Sequence, residues 1–295
     1  MRAAPAFLLI TSLLLATPAW AGQADRWFTT SDGVRLHYVD TGTPPQRGPS
    51  VSARARPTLV FVPGWTMPGW IFANQVRAFQ QRWRVVVLDP RGQGLSDVPG
   101  GGYTYARRGE DIADLVARLG PARVVLIGWS LGVLDSLAYV HAHGDAALAG
   151  MVLIDNSVGE EPAPVPSRQP SHRTPRQSHA AFMAGFVRSM FRRPQPAQYL
   201  AELTRAALRT PEFAARALLA YAVPRSYWRD AIYGFRAPVL YIVRPGLAGQ
   251  AANLAAHRAG AESLVVPDLG HAMFVDDPAR FDATLQDFLA RRIGG

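Results

Sequence analysis

Five residues, Gly128-Trp129-Ser130-Leu131-Gly132, constrain the architecture of this chain more than any other stretch. Before them, Arg123-Val124-Val125-Leu126-Ile127 is short, apolar and rich in β-branched residues, the pattern of a buried strand. After them, Val133 to His143 reads as a helix. A serine between two glycines at a strand-to-helix turn is forced into a strained backbone, with its Oγ projecting above the sheet. The glycines at 128 and 132 are needed because strand and helix pass too close there for side chains.

The alternation of strand and helix continues along the chain. Thr58 to Val62, Arg84 to Leu88, Met151 to Ile154, Pro238 to Val243 and Ala261 to Val266 read as further strands. Ile71 to Arg82, Arg107 to Leu119 and Pro278 to Ile293 show helical spacing. Arg26 to Thr30 and Val34 to Asp40 flank Asp32-Gly33, a hairpin signal that gives an antiparallel start. The expected fold class is α/β, a mostly parallel twisted sheet with helices on both faces. Thr43 to Arg56 is a loop without apolar period, and no internal repeat is visible.

Between Val158 and Phe235 the alternation stops. Residues 159–178 are rich in proline, serine and arginine, and three helical patterns follow at Ala180 to Phe191, Ala197 to Leu208 and Glu212 to Val223. The expected division is therefore a core at 22–158, a helical insertion at 159–235 between the sixth and seventh strands, and the rest of the core at 236–295.

A second anchor lies far downstream. The last strand is followed by Pro267-Asp268-Leu269-Gly270-His271-Ala272-Met273-Phe274. From that turn an imidazole can reach a serine at the C-terminal edge of the sheet. Ser130 and His271, in this order, resemble the α/β-hydrolase family, whose triad runs serine, then aspartate or glutamate, then histidine. The resemblance covers nearly the whole chain after its first residues. It implies Ser130 as nucleophile, His271 as general base, and a lid at 159–235 over the serine.

Two further motifs carry the resemblance. Pro63-Gly64-Trp65 stands where the family has a His-Gly-x turn that supplies an oxyanion donor. Proline replaces the histidine, but the donor is a main-chain N–H, so the resemblance implies Trp65 and Leu131 as the oxyanion pair. Asp89-Pro90-Arg91-Gly92-Gln93-Gly94-Leu95-Ser96-Asp97 looks like the family's Asp-x-Arg-Gly-x-Gly-x-Ser loop. We read it as a structural turn braced by salt bridges.

The acid departs from the family pattern. Many members place it in a Gly-x-x-Asp-type turn after the strand that follows the lid. Here that strand leads into Arg244-Pro245-Gly246-Leu247-Ala248-Gly249-Gln250, and no carboxylate appears before Glu262. A triad needs a group that holds the imidazole tautomer and stabilises the imidazolium. Asp155, which ends the strand after the nucleophile's, is the expected substitute, as in certain haloalkane dehalogenases and lipases. The competing reading is an aspartate that only shapes the entry to the lid. Glu160, Glu161 and Asp135 are lesser alternatives, and Asp268 is expected to point the wrong way.

Composition narrows the function. Arg2, an apolar run from Ala6 to Ala16 and Ala19-Trp20-Ala21 predict a signal peptide at residues 1–21, hence export to the periplasm or beyond the cell. The run is too short to span a bilayer. The chain has no cysteine, which excludes disulfides, thiol nucleophiles and cysteine metal sites. Lysine is absent too, which excludes Schiff-base chemistry and points to a GC-rich bacterial source. The net charge of +9 comes from scattered arginines without aromatic interleaving, so no nucleic-acid partner is expected. No cofactor or metal signature is present, and the remaining histidines are not grouped.

The resemblance therefore implies a serine hydrolase acting on small carboxylic esters. Trp65, Trp70 and Trp129 would make the mouth of the site aromatic and favour apolar acyl or aryl esters. Serine at 130 argues against dehalogenases and epoxide hydrolases, which need an aspartate nucleophile. The chain also resembles the cofactor-free haloperoxidase or perhydrolase branch. A catalytically dead fold acting as a binding module is the third reading.

Overall fold

The computed structural model describes residues 24–44, 56–164 and 178–294. The expected signal peptide at 1–21 and most of the proline-rich stretch at 159–178 lie outside the described residues. In chain order the first elements are β1 (Ala24–Thr29), β2 (Arg35–Asp40), β3 (Thr58–Val62), α1 (Ala73–Phe79), β4 (Val85–Leu88), α2 (Tyr105–Leu119), β5 (Val124–Trp129), α3 (Leu131–His143) and β6 (Leu148–Ile154). Then follow α4 (His179–Ser189), α5 (Ala197–Ala207), α6 (Glu212–Ala217), α7 (Arg225–Gly234), β7 (Val239–Val243), α8 (Ala248–His257), β8 (Ala261–Val265), α9 (Met273–Asp276) and α10 (Pro278–Phe288).

The eight strands form one sheet in the order β1-β2-β4-β3-β5-β6-β7-β8. The hairpin β1–β2 and the pair β2–β4 are antiparallel, and every other pair is parallel. Its turn closes through Thr30 and Val34, with Gly33 at φ +83°. Every residue of β3, β4, β5, β6 and β7 is buried, as a parallel sheet covered by helices on both faces requires.

Several boundaries differ from the sequence reading. The helix expected at Ile71 to Arg82 begins as a 3₁₀ turn, Gly69–Phe72, because Pro68 starts it and Ile71 N–H bonds the Pro68 carbonyl. The helix expected at Glu212 to Val223 stops at Ala217, and Leu219 and Ala220 close tighter turns ahead of Pro224. Pro224 then opens α7, whose buried Trp228, Ala231 and Ile232 recur at helical spacing. Beyond Phe288 the last helix continues as a π turn, Leu289–Ile293.

The feature that matters for function is the row of strand ends. In parallel neighbours, Trp129 pairs with Ile154, Ile154 with Ile242, and Val243 with Val265. The ladder runs one residue further, since Ser130 N–H donates to Ile154 and Asp155 N–H to Ile242, at 2.8 and 2.9 Å. Ser130, Asp155, Arg244 and the His271 loop therefore leave the same edge of the sheet from four consecutive strands. The C-terminal edge of a parallel sheet is where open α/β proteins bind ligands.

Candidate active site

Ser130 sits at φ 54°, ψ −119°, a left-handed backbone that a serine adopts only under constraint. The constraint comes from the crossing of β5, α3 and β3. A Cβ on Gly128 would lie 2.4 Å from the Gly132 carbonyl oxygen, and one on Gly132 would lie 2.2 Å from that of Val62. Either substituent would push the helix off the sheet. Asn156 Nδ2 donates to the Ser130 carbonyl at 2.8 Å and ties the turn to the end of β6. Leu131 is the first residue of α3, so its N–H has no acceptor within the helix and lies at the positive end of the helix dipole.

The Pro63-Gly64-Trp65 turn lies against this serine: a Cβ on Gly64 would meet the Ser130 Cβ at 2.9 Å. Gln93 holds the turn in shape. Its Nε2 donates to the carbonyls of Gly64 and Met67, and its Oε1 accepts from Thr66 N–H at 2.9 Å. Thr66 itself has φ 59°, an outlier for a β-branched residue. The main chains of Trp65 and Leu131 are thus brought to the serine from two sides.

His271 and Asp155 are in contact, with Nδ1 and Oδ2 2.6 Å apart. The carboxylate is almost wholly buried, at 1% side-chain exposure, whereas the imidazole keeps 17%. Asp155 also has a left-handed backbone, φ 52°. Burial alone would raise its pKa; the hydrogen bond and charge of His271, with Arg244 behind it, outweigh burial and hold the carboxyl below its ordinary range. Arg244 occupies the β7 strand end. Its N–H donates to Asp155 Oδ1 at 3.0 Å and its Nε to Oδ2 at 2.5 Å. His271 is steadied from the other side by Trp129, whose Nε1 donates to the His271 carbonyl at 2.9 Å. The two rings lie 5.1 Å apart.

The other carboxylates considered from sequence are engaged elsewhere. Asp135 pairs with buried Arg108 at 2.6 Å, Glu161 with Arg225 at 3.1 Å, and Asp268 with Arg280 at 2.8 Å. Glu160 bonds Tyr233 and Asn253. In the glycine-rich loop after β4, Asp89 accepts from Gly69 and Leu95 N–H groups and faces His37, while Arg91 pairs with Asp111 and Asp32. Trp129 is not at the mouth: it is 1% exposed and wedged between Phe72 and Phe274. Trp65 and Trp70 instead meet the helices between β6 and β7. Trp65 packs against Phe186 at 4.9 Å and donates its Nε1 to the Ala215 carbonyl, and Trp70 packs against Tyr199.

The sequence model of the α/β-hydrolase fold matches residues 57–245. The chain belongs to the α/β-hydrolase family. Over 127 residues it is 32% identical to a non-heme chloroperoxidase of Kitasatospora aureofaciens, which covers 43% of this chain and 42% of that relative. The match thus spans about two fifths of that relative's length. Among solved structures, a candidate aryl esterase from Burkholderia cenocepacia superposes with TM-score 0.76 at 24% identity, over 90% of this chain and 98% of that one. A bromoperoxidase from Bacillus anthracis gives TM-score 0.72 at 18% identity, over 90% and 100%. At such identities the likeness to these structures is one of fold.

Within this α/β-hydrolase, three residues around the site went unread in the sequence. Gln93 is the one long polar side chain between two glycines of its loop, a signal that it reaches into a main-chain turn. Asn156 follows Asp155 directly. Arg244 finds its partner on the neighbouring strand end, which its own surroundings in the chain do not indicate.

Proposed function

We propose that this chain is a serine hydrolase of carboxylic esters that works through an acyl-enzyme on Ser130. The observation that carries the reading is the 2.6 Å Asp155–His271 pair at the strand ends beside a serine in a strained turn. With Asp155 ionised, the proton between Oδ2 and Nδ1 belongs to the imidazole, which leaves Nε2 as the base. His271 takes the Ser130 proton as Oγ attacks the ester carbonyl, and the Trp65 and Leu131 N–H groups receive the oxyanion. The imidazolium then protonates the leaving alkoxide. Water, deprotonated by the same imidazole, releases the acid.

The helices between β6 and β7 serve as the lid in this reading. Phe182 and Phe186 lie against Trp65, so the acyl or aryl group of the substrate meets an aromatic wall next to the oxyanion turn. Small apolar esters fit such a wall better than charged ones.

A serine-directed organophosphonate tests the reading. It should label one residue, Ser130, and Ser130→Ala should lose both labelling and turnover of p-nitrophenyl esters. Full turnover by the alanine protein would end the proposal.

The similarity to the Kitasatospora aureofaciens chloroperoxidase supports a second reading on the same three residues. Hydrogen peroxide in place of water would intercept the acyl-enzyme and yield a peracid. Measuring peracid formation against ester hydrolysis on the purified protein separates the two.

A further inference from the structure

Arg244 stands at the β7 strand end, where many members of the family place the acid, and its guanidinium closes on Asp155 one strand away. We propose that Arg244 is a positioning residue that locks the Asp155 carboxylate in the rotation presenting Oδ2 to His271. The inference rests on the hydrolase reading, because the pair being held is the one assigned there to catalysis.

A carboxylate turns about an sp³–sp² bond with a broad, two-fold torsional profile. A single bond from an imidazole fixes one oxygen and leaves the plane free to swing. Arg244 removes that freedom: its main-chain N–H takes Oδ1 at 3.0 Å while Nε takes Oδ2 at 2.5 Å. Oδ2 then accepts two bonds, one from Nε and one from His271 Nδ1.

Charge supports the same role. Among the described residues, the side-chain donors on Asp155 come from Arg244 and His271 alone. A buried carboxylate is costly unless a counter-charge stays beside it, and an arginine keeps its charge throughout. Arg244 provides the charge from a side chain that remains 45% exposed, so it retains much of its own hydration. Its Nη2 also comes within 3.5 Å of His271 Nδ1. A guanidinium cannot accept a proton, and Nδ1 has no spare lone pair while it donates to Asp155. Two donors therefore converge on one carboxylate, an arrangement that admits the Nδ1–H tautomer and leaves Nε2 bare.

The test compares wild type with Arg244→Met and Arg244→Lys. Both variants keep the main-chain bond to Oδ1, so what they test is the guanidinium's hold on Oδ2 and its charge; Met keeps the apolar stem. In Arg244→Met, kcat on a p-nitrophenyl ester should fall about a hundredfold, the cost of a misplaced catalytic group, with KM little changed. Arg244→Lys should recover part of the loss. In the resting proteins, the far-downfield proton resonance of the Nδ1–H···Oδ2 bond should shift or broaden in Arg244→Met, with the unfolding midpoint near wild type. Wild-type kcat with an unmoved resonance overturns the proposal, as does a loss confined to KM. If Arg244→Met does not fold, Arg244→Gln is read by the same criteria. Failure of the hydrolase reading looks different: wild type and Ser130→Ala would both resist labelling, while the resonance would still report on Arg244.

Discussion

Gly64 is packed directly against Ser130, so that a Cβ at position 64 would stand 2.9 Å from the serine Cβ and 3.3 Å from the Trp129 carbonyl oxygen. Neither neighbour is the movable end of a flexible side chain. Gly64→Ala must therefore displace one of the two turns, and the N–H of Trp65 moves with it. Steady-state kinetics should show kcat lowered by about 10²- to 10³-fold, the loss typical of one oxyanion donor. Far-UV circular dichroism should remain native. An alanine protein with unaltered kcat would mean that this turn takes no part in the reaction.

Asp155→Asn should lower kcat by about four orders of magnitude, as loss of the correct tautomer does in the serine proteases. An amide would present Nδ2–H or a weaker acceptor to Nδ1, and Arg244 would lose its anion. The acid limb of stability should change too. The Asp155 carboxyl is held below its ordinary value, with burial opposing and the His271 hydrogen bond leading the favourable effects. Its contribution is thus present above pH about 3.9 and lost as pH falls through the lower folded-state value. Urea titrations between neutral pH and pH about 3 should show that loss in wild type and not in the variant.

His37 gives a pH dependence of opposite sign. Both ring nitrogens face carboxylates, Nδ1 to Asp89 at 2.8 Å and Nε2 to Asp25 at 3.1 Å. Burial opposes the cation, but the bonds to Asp89 and then Asp25 prevail and raise the pKa above 6.5. A raised folded-state value means that the stabilisation is complete below pH about 6.5 and fades as pH rises through the folded pKa. His37→Gln should cost about 1.5–3 kcal/mol at mildly acidic pH, the range for charge-assisted hydrogen bonds. The gap between the two proteins should narrow toward alkaline pH; a gap constant with pH would mean that folding does not raise the histidine's pKa.

Phe186 and Met190 lie one turn apart at the end of α4 but differ in burial and in what they touch. Phe186 touches Trp65 at 4.9 Å. Met190 is 1% exposed, and its carbonyl accepts Ala272 N–H, next to His271. Phe186→Ala should therefore shift relative kcat/KM between short- and long-chain p-nitrophenyl esters, with a modest change in unfolding midpoint. Met190→Ala should cost about 2–5 kcal/mol of stability, as core truncations do. Chain-length profiles that coincide for Phe186→Ala and wild type would assign these helices to packing alone.

Most of the sheet was legible because its strands are buried on both faces and read as uninterrupted apolar runs. Ser130, its two glycines and the hairpin at Gly33 are local features, so the sequence around each states its own geometry. The Asp155–His271 contact was legible by a longer route, through the lack of a carboxylate between Arg244 and Gln250. What escaped notice depends on contacts between distant segments. The partners of Arg244, Gln93 and Asn156 lie on other strands or loops, and nothing in their own neighbourhoods names those partners. Helix α8 was missed for a different reason: it is rich in alanine, with a weak apolar period. Helix α7 hides its buried Trp228, Ala231 and Ile232 among polar neighbours.

The register that sets Ile154 opposite Ile242 makes the ends of β6 and β7 two landings on one staircase. Asp155 on one and Arg244 on the other both come to the same imidazole. Two neighbouring strand ends thus serve one ring, and either is near enough to carry its partner. With the carboxylate on one landing, the other is free to hold something else, and in this chain an arginine stands on it, gripping its neighbour's charge.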